Sequence, residues 1–118
     1  MNHQPDHPVR KYDIWLADLP AVPESHVQYG IRPVIVVSND KANKYSPLIS
    51  VVPLTSSLKR ADIPTHTVIH SFGHVSMALC EQVMTIDKAR LKERMGAVEH
   101  HHERMAIRHC MQVQLDLD

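Results

Sequence analysis

The chain has 118 residues, of which 43% are hydrophobic and 22% charged, a balance that supports one folded domain and does not fit a disordered one. Thirteen Lys and Arg offset thirteen Asp and Glu, so a broadly basic coat for nucleic acid is excluded and any polyanion must meet a local patch. The longest apolar runs, such as Pro33 to Val37, are far too short to span a bilayer as a helix.

Residues 1–9 hold two prolines, two histidines and little apolar content, which predicts a flexible N-terminal tail ahead of a single domain over 10–118. This start lacks the apolar centre of a secretory signal. Its expected place is the cytoplasm, with Cys80 and Cys110 as reduced, partly buried thiols. Tyr12 to Leu19 reads as a first strand, broken by Pro20 and Pro23. Ala21 to Arg32 shows no period and reads as a long loop, a feature that is usually functional in a compact domain.

Pro33 to Val37 is β-branched and bounded on both sides, the signal of a buried strand. Ser38-Asn39-Asp40 is suited to cap a helical turn through Lys44. Leu48 to Leu54 reads as a strand that ends or bulges at Pro53, and Thr55 to Asp62 as a polar loop. Thr65 to His70 and Met77 to Val83 read as strands about a turn at Phe72-Gly73, while Arg90 to Val98 fits strand or helix. Glu99 to Leu115 is the one long helix, with Ile107, Cys110, Met111 and Leu115 on a single stripe that belongs against a core. Many short strands and one terminal helix predict a small, strongly bent sheet or barrel with the helix packed on it, mainly β in class.

Ten histidines invite a metal. His100, His101 and His102, however, point about 100° apart around a helix and cannot share an ion. The terminal helix has no histidine pair four residues apart, and the chain has no Cys-x-x-Cys, so neither metal nor cofactor is expected. The triplet reads as a solvated helix start. A hydrolase nucleophile elbow is missing, and three glycines, none clustered, cannot build a phosphate-cradling loop.

What remains is Gly30-Ile31-Arg32-Pro33 feeding a buried strand and Pro53-Leu54-Thr55-Ser56 ending another. An arginine at a strand mouth offers a phosphate two parallel hydrogen bonds, and a threonine at a neighbouring strand end can donate a third. A surface ion pair from Arg32 to Asp13 or Asp18 is the plainer alternative.

These blocks together resemble the MazF/PemK family of toxin endoribonucleases over roughly residues 10 to 117. The resemblance runs through Tyr12-Asp13-Ile14-Trp15-Leu16-Ala17-Asp18-Leu19, then Gly30-Ile31-Arg32-Pro33-Val34-Ile35-Val36-Val37-Ser38-Asn39-Asp40. It continues in Pro53-Leu54-Thr55-Ser56, Pro64-Thr65-His66 and Glu81-Gln82-Val83-Met84-Thr85-Ile86-Asp87-Lys88-Ala89-Arg90-Leu91. It implies an SH3-like β-barrel with a C-terminal helix, a homodimer, and metal-free cleavage of single-stranded RNA at short sequences. A cognate antitoxin that wraps the toxin, and DNA binding by the pair, are implied as well. The family's catalytic arginine and threonine match Arg32 and Thr55, and its base-contacting glutamine matches Gln82.

The chain departs from the family at Met84, where an arginine is common, and over Glu24 to Tyr29. There His26 stands at the usual serine unless the alignment slips to Ser25, and Gln28 keeps the glutamine.

Metal-free cleavage implies that the RNA's own 2′-hydroxyl attacks, which leaves DNA inert. His26 is then either a general base, a base contact or merely solvated. Gln28, Tyr29 and Gln82 are candidates to hold splayed bases, although Tyr29 fits packing equally well. Lys59 and Arg60 are candidates to steer the RNA backbone, against the plainer reading of a solvated loop pair, and Ser56 is a further RNA-binding candidate. Two rival functions share the fold: a topoisomerase poison and a non-enzymatic SH3-like interaction module.

Overall fold

The computed structural model describes residues 7–118. Most of the expected tail, residues 1–6, lies outside the described residues, and Val9 is 8% exposed and part of the core. Seven strands and two helices follow: β1 (Asp13–Leu19), β2 (Gly30–Val36), α1 (Asp40–Tyr45), β3 (Leu48–Thr55), β4 (His66–Ile69), β5 (Ser76–Leu79), β6 (Met84–Asp87), β7 (Leu91–Ala97) and α2 (His101–Leu115). One-turn helices at Cys80–Gln82 and Lys88–Arg90 link β5 to β6 and β6 to β7.

The strands form one antiparallel sheet in the order β4-β5-β3-β2-β1-β7, with β6 also on β3. Two register shifts between β1 and β7 curl it, as bulges do. The barrel expectation needs one correction: no hydrogen-bonded pair closes the sheet among the described residues. The helix α2 packs against β4 and the 80–82 turn.

Val34, Ile35 and Val36 are each fully buried, so β2 has apolar layers on both faces and needs no polar alternation. Trp15, Ala17, Leu19, Val34, Val36 and Val51 form one layer with Ile86 and Leu91. Ile14, Ile35, Val52 and Leu54 form the other layer with Ile107 and Cys110 of α2. Period-two alternation assigns each strand residue to its layer.

Several element bounds differ from the sequence reading. Gly30, Ile31 and Arg32 are strand rather than loop, because Leu19, Asp18 and Ala17 of β1 pair with them. Gly30 turns the chain into β2 at φ +81, a backbone shape that a side chain would strain. β3 continues through Pro53 to Thr55. β5 ends at Leu79, and Val83 lies beyond the turn.

β6 was not foreseen; only Ile86 within it is buried, between exposed Thr85 and Asp87. The ambiguous 90–98 segment is strand β7, paired to β1. In α2 the apolar stripe stops at half-buried Met111, since Leu115 is 50% exposed, and Glu103 is buried at the helix start instead. Asn39 caps α1 by accepting from the Ala42 N–H at 2.9 Å. No helix among the described residues is long and apolar enough to cross a membrane.

Candidate functional site

Strands β2 and β3 pair at Val36–Val51, Ile35–Val52 and Val34–Pro53, and there the ladder ends. Pro33 and Pro53 have no N–H to donate, so the two strands are free to separate beyond that point. Arg32 and Thr55 lie two residues beyond that pair on their own strands. Period-two alternation puts Arg32 on the face of Val34 and Val36 and Thr55 on the face of Val51, the face away from α2. Leu54 and Thr55 are held from the other edge by Ala78 and Met77 of β5.

Half-buried Arg32 is steadied by its own turn: its Nε donates to the Tyr29 carbonyl at 2.8 Å. The alternative ion pair is not made. Asp13 accepts instead from Arg94 at 3.3 Å and from the Arg10 N–H at 3.0 Å, and Arg32 enters no ion pair among the described residues. Thr55 Oγ1 accepts from the Ser57 N–H at 3.2 Å, which leaves its hydroxyl proton to donate elsewhere. The arrangement offers an anion a guanidinium fork and a hydroxyl from adjoining strand ends.

A second tie joins the loops around this opening. The Gln28 N–H donates to Gln82 Oε1 at 2.8 Å. Gln28 precedes β2, on one edge of β3, whereas Gln82 projects from the turn on the other edge, so the bond bridges the two sides of β3. Gln28 Oε1 is itself buried and meets no donor among the described residues. Tyr29 is 59% exposed with its ring open to solvent.

His26, Ser56 and Lys59 are exposed and no contact ties them to this pair of residues. Arg60 is already paired with Asp62 at 3.3 Å, both largely exposed. The Arg60 hydrogen bond and charge hold the Asp62 carboxyl below its ordinary range, though an exposed pair of this kind adds little stability.

Three residues that the sequence reading gave no role sit at junctions here. His66 bridges the Arg60 carbonyl and Glu81, at 2.9 Å to each. Glu81 stands beside Gln82 in the same turn. Glu103, buried on α2, accepts from the His70 N–H at 2.8 Å and the Ser71 hydroxyl at 3.0 Å. No periodicity marks them, because each acts through hydrogen bonds to residues distant in the chain. Cys80 and Cys110 are free and buried, and burial pushes both thiols up. His100, His101 and His102 are exposed at the start of α2.

The family profile described as PemK-like, MazF-like toxin of type II toxin–antitoxin system matches residues 10–113. Endoribonuclease MazF of Staphylococcus epidermidis is 43% identical over 91 residues, which are 74% of this chain and 75% of that protein. Among solved structures, MazF from Deinococcus radiodurans superposes with a TM-score of 0.79 at 22% identity, covering 94% of this chain and 99% of that one. A mycobacterial endoribonuclease in complex with its cognate antitoxin gives 0.78 at 22% identity, covering 93% and 97%. At such identity the two structures establish the fold.

Proposed function

The chain belongs to the PemK-like, MazF-like family of toxins of type II toxin–antitoxin systems, and from that premise we propose how it cuts RNA. As a member it is an endoribonuclease toxin. Its substrate is single-stranded RNA, cut at a short sequence without a metal, and the nucleophile is the RNA's own 2′-hydroxyl. The 2′-oxygen forms a bond to the adjacent phosphorus, the bond from phosphorus to the 5′-oxygen breaks, and a 2′,3′-cyclic phosphate and a 5′-hydroxyl result. One proton leaves the 2′-oxygen and one reaches the departing oxygen.

What supports this reading is that β2 and β3 are paired as far as Val34–Pro53 and carry Arg32 and Thr55 just beyond, with Arg32 in no ion pair among the described residues. Charge builds on the non-bridging oxygens of the pentavalent phosphorus, and fixed donors aimed there lower the barrier most. Arg32 grips those oxygens and supplies the proton to the leaving group or balances its charge. Thr55 donates to one of the same oxygens. Gln28, Tyr29, Ser56, Lys59 and Gln82 line the RNA path. Tyr29 stacks on a base, and Gln28 Oε1 takes a donor from a base edge.

His26 joins this surface, and the pH–rate profile of His26→Ala separates a general base, which removes an inflection, from a base contact, which does not. Working partners are a second copy of the chain and a cognate antitoxin in the cytoplasm. The mycobacterial relative solved with its antitoxin supports the second.

The test is incubation of pure protein with a weakly structured transcript and a chelator. Discrete fragments are expected, and Arg32→Ala is expected to slow them by about two to three decades. Equal rates in the two proteins would overturn the assignment.

A further inference from the structure

His66 opens β4, and its side chain is 8% exposed. Its Nδ1 lies 2.9 Å from the Arg60 carbonyl and its Nε2 2.9 Å from Glu81 Oε1. A carbonyl and a carboxylate only accept, and a neutral imidazole carries one N–H. Both contacts are hydrogen bonds only when the ring is protonated at both nitrogens.

The ring is set in a loop that leans on it. The Arg60 carbonyl also accepts from the Ile63 N–H at 3.2 Å, and the His66 N–H returns to the Ile63 carbonyl at 2.9 Å. Arg60 stands at φ +60, a strained setting for a side-chain-bearing residue that persists only under outside restraint. The other oxygen of Glu81 accepts from the Thr65 hydroxyl at 3.2 Å.

Ionisable groups face the ring from each element packed on it. Glu81 comes from the 80–82 turn, and Asp62 with its partner Arg60 from the loop. Cys110 comes from α2, its Sγ 3.7 Å from the His66 carbonyl. The Arg60 guanidinium pairs with Asp62 at 3.3 Å, so Glu81 is the carboxylate that touches the ring itself.

We propose that His66 is a positioning residue: as an imidazolium it clamps the β3–β4 loop, which carries Ser56 and Lys59, to the turn that carries Gln82, and releases it as pH rises. The proposal rests on the RNA-cleaving reading, since it assigns the clamped loops to substrate contact. One ring thereby sets both sides of the opening, the β3–β4 loop through Arg60 and the 20–29 loop through Glu81, Gln82 and Gln28. Loss of the proton turns the Nδ1 lone pair against the carbonyl and breaks the first tie.

The experiment joins nitrogen NMR of the histidine rings with amide-exchange protection of residues 56–66, from about pH 6 to about pH 8.5, across which imidazoles titrate. Two protonated ring nitrogens at low pH are expected, with loop protection falling in step with their loss. In His66→Gln the protection is lower and flat with pH. Its KM for a weakly structured transcript rises about tenfold at low pH with kcat little changed, the loss of one charge-assisted bond. The difference from wild type closes at high pH.

A single protonated ring nitrogen at low pH, or loop protection independent of the ring's titration, would overturn the clamp. So would a His66→Gln protein that keeps the wild-type pH profile. A wild-type protein that cuts no RNA overturns the functional reading alone, because the ring and exchange measurements need no substrate.

Discussion

Val34 and Pro53 form the last pair that holds β2 to β3, and Arg32 and Thr55 follow two residues beyond it on their own strands. The buried strands hold both residues firmly while the missing proline donors let the space between them open. A bidentate fork is therefore the feature to perturb. Arg32→Lys keeps the charge but loses the paired donors, and about a tenfold to hundredfold fall in cleavage rate is expected. Thr55→Val removes the hydroxyl and slows cleavage by about two decades, whereas Thr55→Ser retains most of the rate. Single-turnover rates on one transcript check both, with thermal melts to show that the fold is intact.

Gln82 has a narrower task, since its Oε1 accepts the backbone N–H of Gln28. Gln82→Ala frees that loop and raises KM about fivefold, the worth of one neutral hydrogen bond of about 1 kcal/mol. A full kinetic curve separates this from a change in kcat, which should stay within about twofold if the chemistry itself is untouched.

Glu103 ties α2 to the segment after β4. Burial works against its charge, yet hydrogen bonds from the His70 backbone, the Ser71 hydroxyl and the His70 ring outweigh it and hold the carboxyl below its ordinary value. A carboxylate with a lowered folded value stabilises the fold above its unfolded value, and that contribution fades as pH falls through the folded one. Urea unfolding should show this acid-side loss in wild type and lack it in Glu103→Gln. Glu103→Ala, which strands the Ser71 hydroxyl, should cost about 2 to 3 kcal/mol.

Cys80 and Cys110 share the layer under α2 and are pushed up mainly by burial. Groups raised in this way favour the fold below their unfolded value, about pH 8.5 for a thiol, and that share is lost as pH climbs beyond it. Stability should fall on the alkaline side, and a thiol reagent at neutral pH should modify the two residues no faster than global unfolding exposes them. Prompt labelling of the folded protein would show the layer to be open.

Long β-branched runs were legible because burial on both faces leaves no ambiguity about Val34, Ile35 and Val36, and Asn39 announced its cap through chemistry local to the chain. The limits of β2 were not. Whether Gly30 to Arg32 is loop or strand depends on Leu19, Asp18 and Ala17 lying alongside, a tertiary fact. β6 was missed because four residues paired to half of β3 carry too short a pattern. Leu115 looked like core by spacing alone, but half of it is exposed.

At the candidate site, Arg32 and Thr55 stood out as polar residues at the mouths of apolar strands, and the family resemblance joined them. The contacts of His66 with Arg60 and Glu81, and of Gln28 with Gln82, depend on how loops fold back, which no periodicity records.

The most direct measurement replaces a single ribose. A short RNA containing one cleavage position is made with and without the 2′-hydroxyl at that position, and both are incubated with the protein and a chelator. The account predicts rapid cutting of the all-ribose strand to a 2′,3′-cyclic phosphate and no cutting at the 2′-deoxy position. Comparable cleavage at the deoxy position would contradict it.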